Sequence, residues 1–170
     1  MDNTLIIFAS HHGTVEKCAR ELFRLIDGKV DICNLNQREM FPDLTNYDAV
    51  IVGGSIHSGK IQDEITTFCT DNLDKLATKR LGLFINCIYT GEKARQQLEK
   101  SFPRQLFHKA VVRDYFGGEV DELKLNFWER IVTTQMIEKE DLVVVLSKDK
   151  IKRFAELMSD TRSITDNGPL

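Results

Sequence analysis

The most informative part of the sequence is a short polar segment that connects an apolar run directly to a helix-like pattern, Ser10-His11-His12-Gly13-Thr14-Val15. Backbone N–H groups at the start of a helix lack intrahelical partners and lie at the positive end of the helix dipole. Hydroxyls at Ser10 and Thr14 can add donors, and Gly13 lets the backbone approach a ligand closely. The segment therefore predicts a phosphate-binding loop, with an ordinary capped strand-to-helix turn as the alternative.

The same loop carries two adjacent imidazoles, His11 and His12. Either can add a charge-assisted hydrogen bond to a phosphate when it is protonated. The alternative is a metal site, but neighbouring side chains rarely point the same way and the sequence offers no evident third ligand. We therefore predict no bound metal.

The sequence patterns of several other phosphate-binding classes are absent. The chain contains neither G-x-x-x-x-G-K-[ST] nor G-x-G-x-x-G, which excludes a P-loop NTPase and weakens a dinucleotide site. A receiver domain would need clustered carboxylates after its first strand to hold magnesium, and Ala9, Ser10 and His11 stand there. A cysteine-based phosphatase would need an arginine six positions after its cysteine, where Cys87 is followed by Lys93.

Two further polar segments follow apolar runs, Gly53-Gly54-Ser55-Ile56-His57-Ser58-Gly59-Lys60 and Asn86-Cys87-Ile88-Tyr89-Thr90-Gly91. In the first, Ile56 and His57 can lie against a flat ring. In the second, Tyr89 can stack on a ring and exposed backbone amides can bond a heteroaromatic edge. Together with a phosphate loop, these segments predict a mononucleotide with a large planar head, and FMN fits that description. The alternative is that both are merely polar loops with glycine-rich turns.

The elements that would position these segments follow from hydrophobic periodicity. Apolar runs predict strands at residues 5–9, 30–35, 49–52, 81–85 and 109–116. Apolar residues three and four positions apart predict helices near residues 15–26, 63–76, 94–102, 125–132 and 151–158, the last with Ser147 as its cap. Residues 142–146 are either a sheet strand or an extended stretch leading into the last helix.

Strands that are apolar throughout and alternate with helices predict a parallel sheet covered on both faces, a doubly wound α/β fold. We expect one domain over residues 1–160 and a polar C-terminal tail over residues 161–170. In such sheets ligands bind beyond the carboxyl ends of the strands, where strand order reverses. The three polar segments all follow predicted strands, and a fourth turn at Phe116-Gly117-Gly118 follows the last one.

Composition limits the classes of protein that remain. The 170 residues are 42% hydrophobic and 29% charged, with a net charge of -3, which excludes disorder and argues against nucleic-acid binding. No apolar run is long enough to span a bilayer, and the first residues do not resemble a signal peptide, so we expect a cytoplasmic protein. The cysteines lack paired spacing, so we predict neither a disulfide framework nor a zinc site at Cys18, Cys33, Cys69 and Cys87.

These motifs together resemble the flavodoxin superfamily, and within it the flavodoxin-type (menaquinone-dependent) protoporphyrinogen IX dehydrogenases. The matching segments are Thr4-Leu5-Ile6-Ile7-Phe8 running into Ser10-x-x-Gly13, Asn46-Tyr47-Asp48-x-Val50, Gly53-Gly54-Ser55-Ile56-His57-x-Gly59, and more weakly Phe116-Gly117-Gly118 with Phe127-Trp128-x-Arg130. The resemblance spans nearly the whole chain. It implies a flavodoxin-like three-layer sandwich with a parallel five-stranded sheet in the order 2-1-3-4-5.

The resemblance also implies where FMN would bind. Its phosphate would lie on residues 10–15, and its ring between residues 55–58 and 86–90, with Gly117 and Gly118 nearby. The chain departs from the family at Val15, where family phosphate loops usually offer a hydroxyl. One side-chain donor is then lost, although the backbone N–H remains and Thr14 is a neighbouring substitute.

Three functions remain open on sequence grounds. The preferred one is an FMN-dependent oxidoreductase resembling protoporphyrinogen dehydrogenase, which passes electrons from a small-molecule substrate through FMN to a quinone. The second is an electron-transfer flavodoxin that serves partner proteins, although a net charge of -3 is mild for an acidic docking face. The third is a flavodoxin-like module without catalysis. The sequence identifies no catalytic acid or base, and His57 is only a weak candidate.

The segment 119–136 bears on the choice between these functions, because ordinary small flavodoxins have less chain there. Its apolar residues at helical spacing, Leu125, Trp128 and Ile131, favour packing against the domain. The alternative is an amphipathic helix that contacts an apolar substrate or, weakly and peripherally, the inner face of the membrane.

Overall fold

The computed structural model describes residues 3–37, 41–118 and 145–160. Their strands are β1 Asn3–Phe8, β2 Lys29–Asn34, β3 Ala49–His57, β4 Lys60–Ile61, β5 Arg80–Asn86 and β6 Val112–Tyr115. Their helices are α1 Thr14–Leu25, α2 Asp63–Asp71, α3 Leu73–Ala77, α4 Gly91–Ser101, α5 Arg104–Lys109 and α6 Lys148–Ser159, with a 3-10 turn at Leu44–Asn46. The predicted helix near 125–132, the segment 119–136 and the tail 161–170 lie outside the described residues.

Five of these strands form a parallel sheet in the order β2-β1-β3-β5-β6, and β4 pairs antiparallel with β3 beside that path. Without β4, this is the predicted order 2-1-3-4-5, which is confirmed. The parallel register aligns Phe8 of β1 with Gly53 of β3, and Ser55 of β3 with Asn86 of β5. The turns that follow these strands therefore meet at one edge of the sheet.

The side-chain alternation of the buried strands divides the core into two layers. In β1, Leu5 and Ile7 face the layer that α2, α3, α4 and α5 cover. The intervening Ile6 and Phe8 face the layer under α1 and α6. This second layer includes Phe84, whose ring stacks on Phe116 with centroids 4.9 Å apart. Apolar residues on both sides of each strand are the physical reason that helices cover both faces.

Three local features differ from the sequence-based expectation. The helix predicted at 63–76 is two helices, because the chain breaks at Asn72, whose side-chain amide donates to the Phe68 carbonyl at 3.0 Å. The strand predicted from residue 109 begins at Val112, since α5 continues through Lys109. The predicted cap of the last helix is confirmed, with the Ser147 hydroxyl accepting from the Lys150 N–H at 3.3 Å.

Among the described residues, no helix is both long and apolar enough to cross a bilayer. All four cysteines are buried, and none of them is in a disulfide. Burial raises the pKa of Cys69 to about 12.

Candidate functional site

The first loop leads from β1 into α1 through a glycine in a left-handed conformation. Gly13 has φ +86 and is the N-cap of α1, and it has no side chain to cap the helix. Ser10 stabilises the loop from both ends: its hydroxyl accepts from the Gly13 N–H at 3.0 Å, and its own N–H donates to the Asn36 side chain at 2.9 Å. The Ser10 hydroxyl thus accepts from the N-cap residue Gly13 and not from an N–H group of the helix itself.

The first turn of α1 leaves three backbone donors without an intrahelical carbonyl. The first backbone bond of the helix runs from the Lys17 N–H to the Gly13 carbonyl at 3.0 Å. The N–H groups of Thr14, Val15 and Glu16 precede it, and they lie at the positive end of the helix dipole. The side chain of Val15 is buried in the core, so this residue offers the site only its N–H. The geometry is that of an anion-binding helix start.

The second polar segment is a β-hairpin rather than a loop. We predicted that the strand would end near Val52, but β3 continues to His57 and β4 begins at Lys60. The two-residue turn between them has φ +49 at Ser58 and +81 at Gly59, the pair of positive values that a type I′ hairpin requires. Glycine relieves the steric cost at the second position. The hairpin carries His57 beyond the parallel sheet, whose pairing with β5 ends at Ser55.

A buried glutamine ties this hairpin to the first loop. The Gln62 amide group donates to the Ala9 carbonyl at 3.1 Å and to the Ser55 hydroxyl at 2.8 Å, and its oxygen accepts from the Ser55 N–H at 2.7 Å. These three bonds orient the amide without ambiguity, because only its NH₂ group can donate to the Ala9 carbonyl. The side chain therefore joins two segments that are 53 residues apart in sequence.

The hairpin also brings His57 to the first loop. Its ring centroid is 6.2 Å from that of His11 and 5.8 Å from that of His12, and its Nε2 is 2.8 Å from the Ser55 hydroxyl. Partial burial, followed by the nearby His12 and His11, lowers the pKa of His57 from its ordinary value. Glu64 lies on the other side of the cluster, with its carboxylate 4.0 Å from His11 Nε2.

The third polar segment is linked to the turn after β6. The Asn86 side-chain amide donates to the Gly117 carbonyl at 2.9 Å, and the Cys87 N–H donates to the same carbonyl at 3.2 Å. Gly117 and Gly118 are both buried, and Gly118 lies directly against Ile88 and Cys87. The turn that contains the two glycines thus packs directly against the third segment.

Tyr89 and Thr90 stand half-buried at the surface end of this segment, and Lys93 lies over the Tyr89 ring at 4.6 Å. Tyr89 and Ile56 pack against the same layer of the core.

The Cys87 thiol is buried, and burial raises its pKa to about 11. It is therefore an unreactive thiol rather than a nucleophile.

A cavity of about 440 Å³ opens between the first loop and the hairpin. It is lined by His11, His57, Lys60, Ile61, Gln62, Asp63 and Glu64. No residue of the third segment is among those that line it. Within residues 3–37, 41–118 and 145–160, no cluster of three or more metal-ligating side chains forms a metal site.

The structure therefore brings together the loop at 10–15, the hairpin at 55–58 and the segment at 86–90, as their places after three adjacent strands predicted. Sequence reasoning missed Gln62, Asn36 and Glu64. Asn36 follows β2, whose carboxyl end lies at the same edge, and its position after that strand was a usable signal. Gln62 had no comparable signal, because its partners are distant in sequence.

Comparisons with known proteins agree with this architecture. The family model for the flavodoxin domain matches residues 5–141. Among solved structures, flavodoxin 1 from Bacillus cereus is 15% identical, with 92% of this chain and 96% of that chain covered and a TM-score of 0.51. A flavodoxin from Streptococcus pneumoniae TIGR4 is 16% identical, with 92% and 94% covered and a TM-score of 0.52.

The rubredoxin oxygen:oxidoreductase of Desulfovibrio gigas is also similar, at 16% identity and a TM-score of 0.51. The alignment covers 94% of this chain and 35% of that one, so this chain spans about a third of its length. No curated protein sequence matches the chain. At these identities the structures establish the fold alone, whereas the family match covers most of the sequence. The chain belongs to the flavodoxin family and has the FMN-binding flavodoxin fold.

Proposed function

We propose that this chain binds FMN at the carboxyl edge of the sheet, with the phosphate at the start of α1 and the ring between the hairpin and the segment 86–90. The observation that carries the proposal is the start of α1, where three N–H groups follow a glycine that offers no capping side chain. A Cβ placed on Gly13 would meet no heavy atom within 4 Å, so the approach to these donors is open. Such an opening suits a phosphate.

A second observation fits the remainder of the cofactor. The side-chain oxygen of Asn86 is buried and has no hydrogen-bond partner among the described residues. A buried acceptor without a partner is costly, and a hydroxyl-bearing ligand would satisfy it. FMN carries hydroxyl groups between its phosphate and its ring. We propose that one of these hydroxyl groups supplies the missing donor to Asn86.

FMN supplies one- and two-electron transfer when it is bound. The chain's own residues hold the cofactor and determine what can approach it. Tyr89 and Ile56 offer apolar surface for a flat ring, and Gln62 keeps Ser55 and His57 at a constant distance from the first loop. When His57 is neutral with its hydrogen on Nδ1, its Nε2 accepts from the Ser55 hydroxyl, whose oxygen also accepts from Gln62.

For the reaction, we propose an oxidoreductase of the protoporphyrinogen dehydrogenase type, with a porphyrinogen-like electron donor and a quinone acceptor. The hairpin residues 53–59 support this choice, because they carry the most selective part of the resemblance. Exposed Asp63 and half-buried Glu64 beside the hairpin favour the second candidate, an electron carrier that docks on a basic partner protein.

The first experiment is the visible absorption spectrum of the purified chain before and after addition of FMN. A flavin spectrum with quenched fluorescence supports the cofactor site, and no binding with FMN in excess refutes it. The second is anaerobic turnover of the flavin-loaded chain with a porphyrinogen and a soluble quinone. Turnover supports the enzyme, whereas rapid reduction by a flavodoxin reductase without porphyrinogen turnover supports the carrier.

A further inference from the structure

Three of the four histidines of the chain converge beside the start of α1. His11 and His12 belong to the first loop, and His57 reaches them from the end of β3, with ring centroids 6.2 and 5.8 Å away. The fourth, His108, lies on α5, outside the cavity beside this cluster. His12 precedes the N-cap Gly13 directly, so the cluster adjoins the start of α1 in sequence.

The charges that face this cluster come from two elements, α2 and β4. From α2, Glu64 approaches His11, but the same carboxylate oxygen accepts from the Asn36 side chain at 2.7 Å. Asp63 of α2 and Lys60 of β4 line the adjoining cavity and offset one another in charge.

The acidic residue of the first turn of α1 is already engaged elsewhere. Glu16 pairs with Arg20 at 2.7 Å and does not serve the imidazoles. Among the described residues, Glu64 is therefore the carboxylate that approaches an imidazole of the cluster, and it is shared with Asn36.

Protonated imidazoles this close repel one another, which disfavours protonation of all three. An anion bound beside them favours their protonation instead. Partial burial and the neighbouring histidines already lower the pKa of His57 in the unliganded chain. A phosphate bound at the start of α1 would bring up to two negative charges close to this cluster.

We propose that His11, His12 and His57 form an anion-binding cluster that holds the phosphate of FMN together with the start of α1 and gains protons when the phosphate binds. This inference rests on the proposed FMN site and assigns His57 to the phosphate side of it. It makes cofactor affinity dependent on pH in a defined direction. Protonated imidazoles stabilise the bound phosphate, so affinity falls as pH rises from about 7, where the phosphate itself is already a dianion.

Protonation also redirects the Ser55 hydroxyl. When His57 carries a hydrogen on Nε2, it must donate to the Ser55 oxygen, which still accepts from Gln62. Both acceptor positions of that oxygen are then used, and the hydroxyl hydrogen is released to donate elsewhere. A protonated His57 thus adds one hydroxyl donor to the ligand side of the hairpin.

The test measures FMN affinity by fluorescence quenching between about pH 7 and pH 8.5, above the second ionisation of the phosphate and in the upper titration range of histidine. Each proton gained weakens binding by about tenfold per pH unit as pH rises. We expect the wild-type chain to lose at least about fivefold in affinity across this range. Calorimetry at about pH 7.5, in two buffers of different ionisation enthalpy, should show net proton uptake, because a phosphate monoester is already a dianion there.

The variant H11Q/H12Q/H57Q should bind FMN more weakly at the lower end of this pH range, and both its pH dependence and its proton uptake should be lost. The matched control H108Q should behave as the wild type. Riboflavin, which lacks the phosphate, should bind without proton uptake. Urea unfolding of each variant establishes that the fold is retained, and the single substitutions replace the triple variant if it does not fold.

Three outcomes would overturn the inference. FMN affinity independent of pH, unchanged proton uptake in the histidine variants, or equal proton uptake with riboflavin would each exclude the cluster as the phosphate partner. All three leave the FMN site itself intact. Failure of the wild-type chain to bind FMN at any pH would instead refute the proposed function, and this inference with it.

Discussion

Replacement of Gln62 by leucine should loosen the connection between the first loop and the hairpin. Leucine keeps the approximate volume of the side chain but removes its amide. Three hydrogen bonds disappear, with distances of 2.7, 2.8 and 3.1 Å, to the Ser55 N–H, the Ser55 hydroxyl and the Ala9 carbonyl. Because Gln62 is only 6% exposed, water cannot readily replace the lost partners.

The magnitude follows from the net value of such bonds. A typical intramolecular hydrogen bond contributes about 0.5–1.5 kcal/mol, so loss of three lowers the free energy of unfolding by about 3 kcal/mol. For a domain of this size, that corresponds to a decrease in Tm of about 6–12 °C. We also expect weaker FMN binding, since the hairpin must then be ordered when the ligand binds.

The assay is urea unfolding followed by far-ultraviolet circular dichroism, combined with an FMN titration of each variant. The matched control is Gln96→Leu, the same chemical change on the exposed face of α4, where the amide makes one long bond of 3.3 Å to Glu92. We expect the control to change the unfolding free energy by less than about 0.5 kcal/mol. If Gln62→Leu were no more destabilising than the control, the amide would not be what ties the two segments together.

Three further predictions test other parts of the structure. Gly13→Val should abolish flavin binding yet leave the sheet folded, because valine is strained at φ +86; normal FMN affinity would refute the phosphate loop. Phe84→Ala should lower the unfolding free energy by about 3–5 kcal/mol, since its fully buried ring contacts Phe116 and Phe154; urea unfolding measures this loss, and a change below about 1 kcal/mol contradicts it. Cys87 should resist alkylation by iodoacetamide at about pH 8, because burial raises its pKa to about 11. Rapid alkylation of Cys87, detected by mass spectrometry, would contradict its burial.

The layered fold was predictable because its signals are local. Runs such as Leu5 to Phe8 are apolar at every position, and only a strand covered on both faces buries all of them. The pattern of α1 places Val15, Cys18 and Leu22 on one side, and the structure buries those residues. Strand order followed from the family resemblance, and the parallel register then brings the predicted loops to one edge.

The hairpin was not predictable by the same reasoning. The residues after Val52 are two glycines and a serine, which read as a loop because they carry little strand propensity. Glycines fit there because neighbouring side chains crowd the strand: a Cβ on Gly53 would lie 2.1 Å from the Phe84 ring. That crowding depends on a residue 31 positions away in the sequence, on an adjacent strand.

The sequence by itself determined where the strands of the parallel sheet and most helices lie, and that a helix with a glycine at its start follows β1, because periodicity and glycine placement act over a few residues. Only the tertiary structure decided that His57 meets His11 and His12, and that Gln62 joins Ala9 to Ser55. These contacts depend on how far β3 extends past the sheet edge and where its hairpin turns back. Such distances are set by the packing of neighbouring strands, and no local pattern in the chain encodes them.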